Sequence, residues 1–277
     1  MNLVVAILII IVSAGGAIAA MLWVRRTAPD GSYFHDGDRA AGVFGVLATG
    51  FAVLLGFVVF LAFTSYDTAR SGAETEAGIV ADQIETAQLF PQPASGELTA
   101  ELICYARSVV GVQWDRMEAG TIGDDLNPWA VKMFETLKTV DPRTPVEQAA
   151  YSKWLDERSA REAARVDRIH GAVGVIPLPL WLVLFFTSIV IFVYMLFFAD
   201  SGERAVVQAM LMGTVITVVV FMLLLLQFLD HPYRSGIGGL RPVAMERTLL
   251  VIDQELGEAH VQQMRLPCDA RGNAVTR

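Results

Sequence analysis

The sequence predicts an all-α integral membrane protein with four transmembrane helices, a helical polar domain between spans two and three, and a helical C-terminal tail. Three observations carry this. Four stretches, 3–24, 41–64, 172–199 and 205–229, contain no Asp, Glu, Lys or Arg. At 22, 24, 28 and 25 residues each exceeds the roughly 20 that a helix needs to cross about 30 Å of hydrocarbon. The remaining polar sequence shows helical periodicity and no sustained strand alternation. All 29 acidic and 21 basic residues of the 277 therefore sit outside the spans, which excludes a soluble protein with one large core. The net charge of −8 argues against a nucleic-acid partner and leaves the lipid bilayer as the first partner.

The first transmembrane pair occupies 1–64. Span one ends in Ala17-Ile18-Ala19, which resembles a signal-peptidase site. The run lacks a positive start, is too long, and is followed by Trp23 and Arg25-Arg26, so it is expected to remain as a span. The loop 25–40 contains His35-Asp36-Gly37-Asp38, which reads as a solvated turn rather than a cation site. Span two carries Gly42, Gly45, Gly50 and Gly56, residues that let helices approach closely. Val53, Phe57, Phe60 and Thr64 recur at helical spacing along one stripe. Taken alone, that stripe is a packing and lipid-facing surface before it is a pore wall. The spans hold no internal ionisable residue, which counts against a proton relay or ion-coupled carrier but not against a channel with an apolar constriction.

The polar segment 65–171 is long enough for a domain. Ala73, Ala77, Val80, Ile84 and Ala87 form one apolar helical stripe, and no Pro interrupts 41–90, so this helix is expected to continue from span two. Pro91, Pro93 and Gly96 break the chain before a second stripe at Leu98, Leu102, Tyr105, Val109 and Val112. Trp129, Met133, Phe134 and Leu137 mark a short third helix. Thr144-Pro145-Val146-Glu147 is a capping box with Pro at the first helical position, opening a fourth. On it Arg158, Arg161, Arg165 and Arg168, spaced three, four and three, share one face. Such a face can pair with Glu74, Asp82 or Glu85 of the first helix, bind lipid phosphates, or draw anions toward a pore mouth.

Pro177 and Pro179 interrupt the entry to the second hairpin, 172–229, whose helices are joined by about five residues from Asp200 to Arg204. The tail, 230–277, opens with Leu229-Asp230-His231-Pro232-Tyr233-Arg234-Ser235-Gly236, a sharp turn after the membrane. Pro242 starts a helix with Met245, Leu249, Ile252 and Leu256 on one face, and residues from about 265 read as frayed. Cys104 and Cys268 are expected to be separate thiols. Asp253, Glu255, Glu258 and His260 form no recognised ligand set. No nucleophile elbow, phosphate loop or zinc spacing appears, so neither an enzyme, a metal nor a cofactor is expected.

The Asp230-to-Gly236 turn with its Pro-headed helix resembles a signature of the bacterial bestrophin-like domain family. Gly56 to Val59, Glu76-Ala77, Tyr105, Trp114, Met117, Arg165, Arg168, Leu178-Pro179 and Trp181 agree with that resemblance, which covers roughly 40–260. Tyr233 departs from it where Phe is expected, as does Arg234 before Ser235. The resemblance implies an oligomeric channel of the bacterial inner membrane, many relatives being pentameric and selective for small anions. It implies a pore lined by span two with Phe57 and Phe60 at the neck, and a cytoplasmic polar domain. A membrane-anchored interaction module without conductance is the alternative. The charges leave the side open: Arg25-Arg26 places the first loop inside, whereas the larger set of arginines flanks the polar domain.

Overall fold

A computed structural model describes residues 3–121, 127–236, 238–257 and 266–275. Glu258 and His260, weighed above as ligands, lie outside the described residues. The helices are α1 (Leu3–Arg25), α2 (Gly37–Ala87), α3 (Ala94–Ser108), α4 (Trp114–Glu118), α5 (Pro128–Lys138), α6 (Pro145–His170), α7 (Leu178–Phe197), α8 (Ala205–Asp230) and α9 (Val243–Leu256). A five-residue π-turn, Val109–Gln113, joins α3 to α4. No strand occurs among the described residues. α1, α2, α7 and α8 are long and apolar enough to cross a membrane.

The chain divides into two compact units. The first comprises Met1–Ser65, Gly174–Asp230 and Ser235–Gly238. Its core joins α1 to α8 through Ala17, Met21, Met212 and Ile216, with Ala28 and Ala199 at one end. Gly213 is the close approach here, because a Cβ at that position would stand 2.9 Å from Ile18 Cδ1. The two short loops meet at the same end. Arg25 Nη2 donates to the Ser201 carbonyl at 2.9 Å, and Gly31 N donates to Asp200 Oδ1 at 3.0 Å. Tyr194 stacks on Phe34 and Phe44, tying α7 to the start of α2. Apolar residues such as Leu182, Phe186 and Ile189 stay exposed, as lipid contact requires.

The second unit comprises Tyr66–Val173, His231–Arg234 and Gly239–Arg277. The stripe at Ala77, Val80, Ile84 and Ala87 is buried against Leu98, Leu102 and Tyr105 of α3, Trp129, Met133 and Leu137 of α5, and Trp154 of α6. Local signals set the helix starts. Thr144 Oγ1 accepts from Glu147 N at 3.2 Å while Glu147 Oε2 accepts from Thr144 N at 3.1 Å, closing the capping box. Asn127 caps α5 ahead of Pro128.

Three expectations change. The tail is not a separate C-terminal unit, since Met245 and Ile252 of α9 join the polar core and Thr248 Oγ1 donates to the Ala77 carbonyl at 3.1 Å. Nor are its last described residues frayed. Cys268 is bonded to Cys104, Trp129 Nε1 donates to the Gly272 carbonyl at 2.7 Å, and Val275 N donates to the Pro267 carbonyl. The two cysteines, expected to be separate, are a buried disulfide because the tail returns across α3, which a sequence separation of 164 hides from a reading of spacing.

Candidate functional site

α2 presents two faces half a turn apart. Phe51, Leu55, Val58 and Ala62 are buried. Val53, Phe57 and Phe60 are 69%, 60% and 63% exposed, and Thr64 is exposed with its hydroxyl donating to the Phe60 carbonyl at 3.0 Å. At 100° per residue these four fall within one narrow stripe opposite the buried set. Val46, seven residues before Val53, extends the stripe and is 76% exposed. Its heptad spacing from Val53 is the signal that sequence reasoning passed over. Gly42, Gly45, Gly50 and Gly56 meet no neighbour within 4 Å, so they make no close helix contact in the protomer. The buried side of α2 fronts an apolar cavity of about 450 Å³, between Phe51, Leu55 and Val59 and, across it, Ile191, Val219 and Met222.

The arginine stripe of α6 is not a solvent-facing surface, because two of its members turn into the polar unit. Arg161 and Arg168 are 1% and 0% exposed. Arg161 Nη1 donates to Gln83 Oε1 at 2.6 Å, and its guanidinium lies 4.7 Å from the centre of the Tyr105 ring. Arg168 forms a bidentate pair with Glu76, through Nε to Oε2 and through Nη2 to Oε1 at 3.1 Å. Nη2 also donates to Gln113 Oε1 at 2.9 Å, and Tyr105 Oη donates to Glu76 Oε1 at 2.5 Å. Burial pulls the Arg168 pKa down, and the Glu76 charge and hydrogen bonds more than reverse it. Burial first, and then the Glu76 charge, push the Tyr105 phenol up. Arg158 lies over the Phe134 ring, and Arg165 faces Glu162 at 3.7 Å. Pairing with α2 thus runs through Glu76 and Gln83, not through Glu74, Asp82 or Glu85. The reason is helical phase: Glu76 and Gln83 are buried on the inner face, while Glu74, Asp82 and Glu85 are exposed. Arg165 and Arg168 line one side of a cavity of about 360 Å³, with Arg116, Gln113, Asn127 and Asn273 around it.

The turn after α8 has a defined task in each unit. In the first, Asp230 is 3% exposed and its Oδ1 accepts from Val175 N at 2.7 Å and Ile176 N at 2.9 Å. Trp181 Nε1 donates to Oδ2 at 3.4 Å, so one carboxylate fixes the entry to α7. Gly174 is needed there, since a Cβ would stand 2.9 Å from Asp230 Oδ2. In the second, Pro232 is buried and its carbonyl accepts from Leu240 N at 2.9 Å. Tyr233 Oη donates to the Arg168 carbonyl at 2.6 Å, and its ring sits edge-on to Trp114. Burial pushes the Tyr233 phenol well above its ordinary value. The hydroxyl at the position where Phe was expected therefore has a partner. His231 is half-buried, and Gly236 falls among the bends that follow. Among the described residues no group of three or more His, Cys, Asp or Glu is placed to hold a metal ion.

The chain matches the bestrophin-like domain over residues 9–244. Its fold is similar to that of a bacterial bestrophin homolog from Klebsiella pneumoniae, at 14% identity and a TM-score of 0.67, covering 91% of this chain and 99% of that one. A single-substitution variant of that homolog gives 15% identity, a TM-score of 0.65 and coverage of 91% and 98%. No curated protein matches the chain. The domain match spans well over half of the sequence and includes four spans, the α2 stripe and the turn after α8, and on that ground this integral membrane protein belongs to the bestrophin-like family.

Proposed function

We propose that the protein is a homo-oligomeric channel of the bacterial inner membrane, pentameric by family analogy, that conducts small anions along α2. The observation that supports the pore assignment is the exposed stripe of Val53, Phe57, Phe60 and Thr64, opposite the face that α2 buries in its own protomer. Large aromatic residues at the neck narrow a path and gate it by dewetting without any fixed charge. Open space at Gly42, Gly45, Gly50 and Gly56 leaves α2 able to approach a neighbouring copy closely. The choice of small anions rests on family membership.

A second reading, cation conduction, is favoured by the polar continuation of α2. Asp67 and Asp82 are exposed on that continuation, and acidic rings favour cations. A reversal potential decides between them. Purified protein is fused into a planar bilayer under a chloride gradient. A current reversing near the chloride potential and altered by Phe57→Ala or Phe60→Ala supports the anion channel. Reversal near the cation potential keeps the pore and overturns the anion. Silence from folded protein across voltages, pH and calcium replaces the channel with a membrane-anchored interaction module.

A further inference from the structure

We infer that the polar unit and the tail lie on the extracytoplasmic side of the membrane, in an oxidising compartment where the Cys104–Cys268 disulfide closes the tail onto α3. This is opposite to the side that the family resemblance implies, and it does not depend on whether the protein conducts.

The first observation is the disulfide and its setting. Cys104 is fully buried and Cys268 is 6% exposed, and each belongs to the polar core. The bond is the centre of a built interface, not an isolated contact. Trp129 Nε1 is bonded to the Gly272 carbonyl, Arg271 pairs with Asp115, and Asp269 accepts from Arg271 N at 2.9 Å and from Asn273 N at 2.8 Å. Among the described residues beyond α9, Leu266 and Cys268 join the polar core, and the covalent link holds that segment against α3. Structural disulfides persist outside the cytoplasm, and the cytosolic thiol pool keeps most others reduced.

The second observation is the charge at the opposite end of the spans. Four crossings put the polar segment and the tail on one side and the two short loops on the other, and the contacts from Arg25 to Ser201 and from Gly31 to Asp200 bring those two loops together. The short loops carry Arg25, Arg26, Arg39 and Arg204. Positive residues in short loops set orientation toward the cytoplasm, Asp and Glu contribute little, and long segments translocate largely regardless of charge. Residues Tyr66–Val173 form such a long segment, so the arginines of α6 carry little weight, whereas Arg234, Arg241 and Arg247 of the tail favour the opposite side. Arg25 and Arg26 follow the first span directly, the position that usually dominates. Redox chemistry and the Arg25-Arg26 pair after the first span are independent, and both place the polar unit outside.

The test uses the full-length protein in intact bacterial cells. In a Cys104→Ser/Cys268→Ser background, single cysteines are introduced by Ser152→Cys, exposed on α6, or Ser201→Cys, in the short loop. A membrane-impermeant maleimide is then applied. The inference expects Ser152→Cys to label in intact cells and Ser201→Cys only after permeabilisation; the reverse pattern overturns it. The cysteine-free background risks misfolding, so the otherwise unaltered chain is also fused at its C-terminus to alkaline phosphatase or to a fluorescent protein that matures only in the cytoplasm. Phosphatase activity without fluorescence supports the extracytoplasmic side, and fluorescence without phosphatase activity refutes it.

Discussion

Replacing Glu76 by Gln removes one charge from a pair that has no access to water. Glu76 and Arg168 are both 0% exposed, and the carboxylate also accepts the Tyr105 hydroxyl. Gln preserves shape and one acceptor oxygen, but it leaves the Arg168 guanidinium buried without its counter-charge, among neutral partners such as Gln113 and the Met117 sulfur. Arg cannot escape by losing its proton. Removing one member of a buried ion pair costs about 3–5 kcal/mol, a large fraction of a typical domain stability of about 5–15 kcal/mol. Arg168→Met should cost a similar amount by stranding Glu76. The double variant should lose less than the sum of the singles, by about 1–3 kcal/mol, because no lone charge remains. Denaturant unfolding of the detergent-solubilised protein reads this out through the fluorescence of Trp114, Trp129 and Trp154, all buried in the polar unit. A Glu76→Gln variant within about 1 kcal/mol of the original chain, or strictly additive singles, refutes the assignment of the pair as the electrostatic centre of that unit.

Two further outcomes follow from other sites. Glu101 is 3% exposed, and burial raises its pKa to about 7 although Thr136 Oγ1 donates to it at 3.0 Å. Its unfolded value is about 4.3, so the folded state holds the extra proton and stability should fall as pH rises from about 4.5 to about 7. Glu101→Gln keeps an acceptor for Thr136 and should flatten that window, gaining on the order of 1–3 kcal/mol at pH 8 and little at pH 4.5; an unchanged pH profile of the unfolding midpoint contradicts it. Gly272 has φ +80°, and a Cβ there would overlap the Ser108 backbone. Gly272→Ala should therefore cost more than about 2 kcal/mol and expose the tail to limited proteolysis, and a tail as protease-resistant as in the original chain shows that the docking tolerates a side chain.

The helices were legible because their causes are local. Charge-free runs of 22 to 28 residues can only be spans, Pro145 and Pro242 can only open helices, and the period of Ala77, Val80, Ile84 and Ala87 marks an inner face before any partner is known. The Asp230 turn was legible as a turn, yet its carboxylate acts on Val175 and Ile176, which precede it by more than 50 positions. The α2 stripe was legible as a period, and its exposure became a finding only when the opposite face was seen buried.

What the sequence by itself determined is which segments are helical, which of them cross the bilayer and which stripe of each is apolar. Hydropathy and periodicity act over a few turns and are written residue by residue. What only the tertiary structure decided is which distant groups meet: Arg168 with Glu76 rather than with an exposed neighbour, Tyr233 with the Arg168 carbonyl, and Cys104 with Cys268. Those pairings depend on helix rotation and on the return path of the chain. Four arginines at helical spacing share a face in any helix, but whether that face meets water or a buried carboxylate is fixed by the helix packed against it.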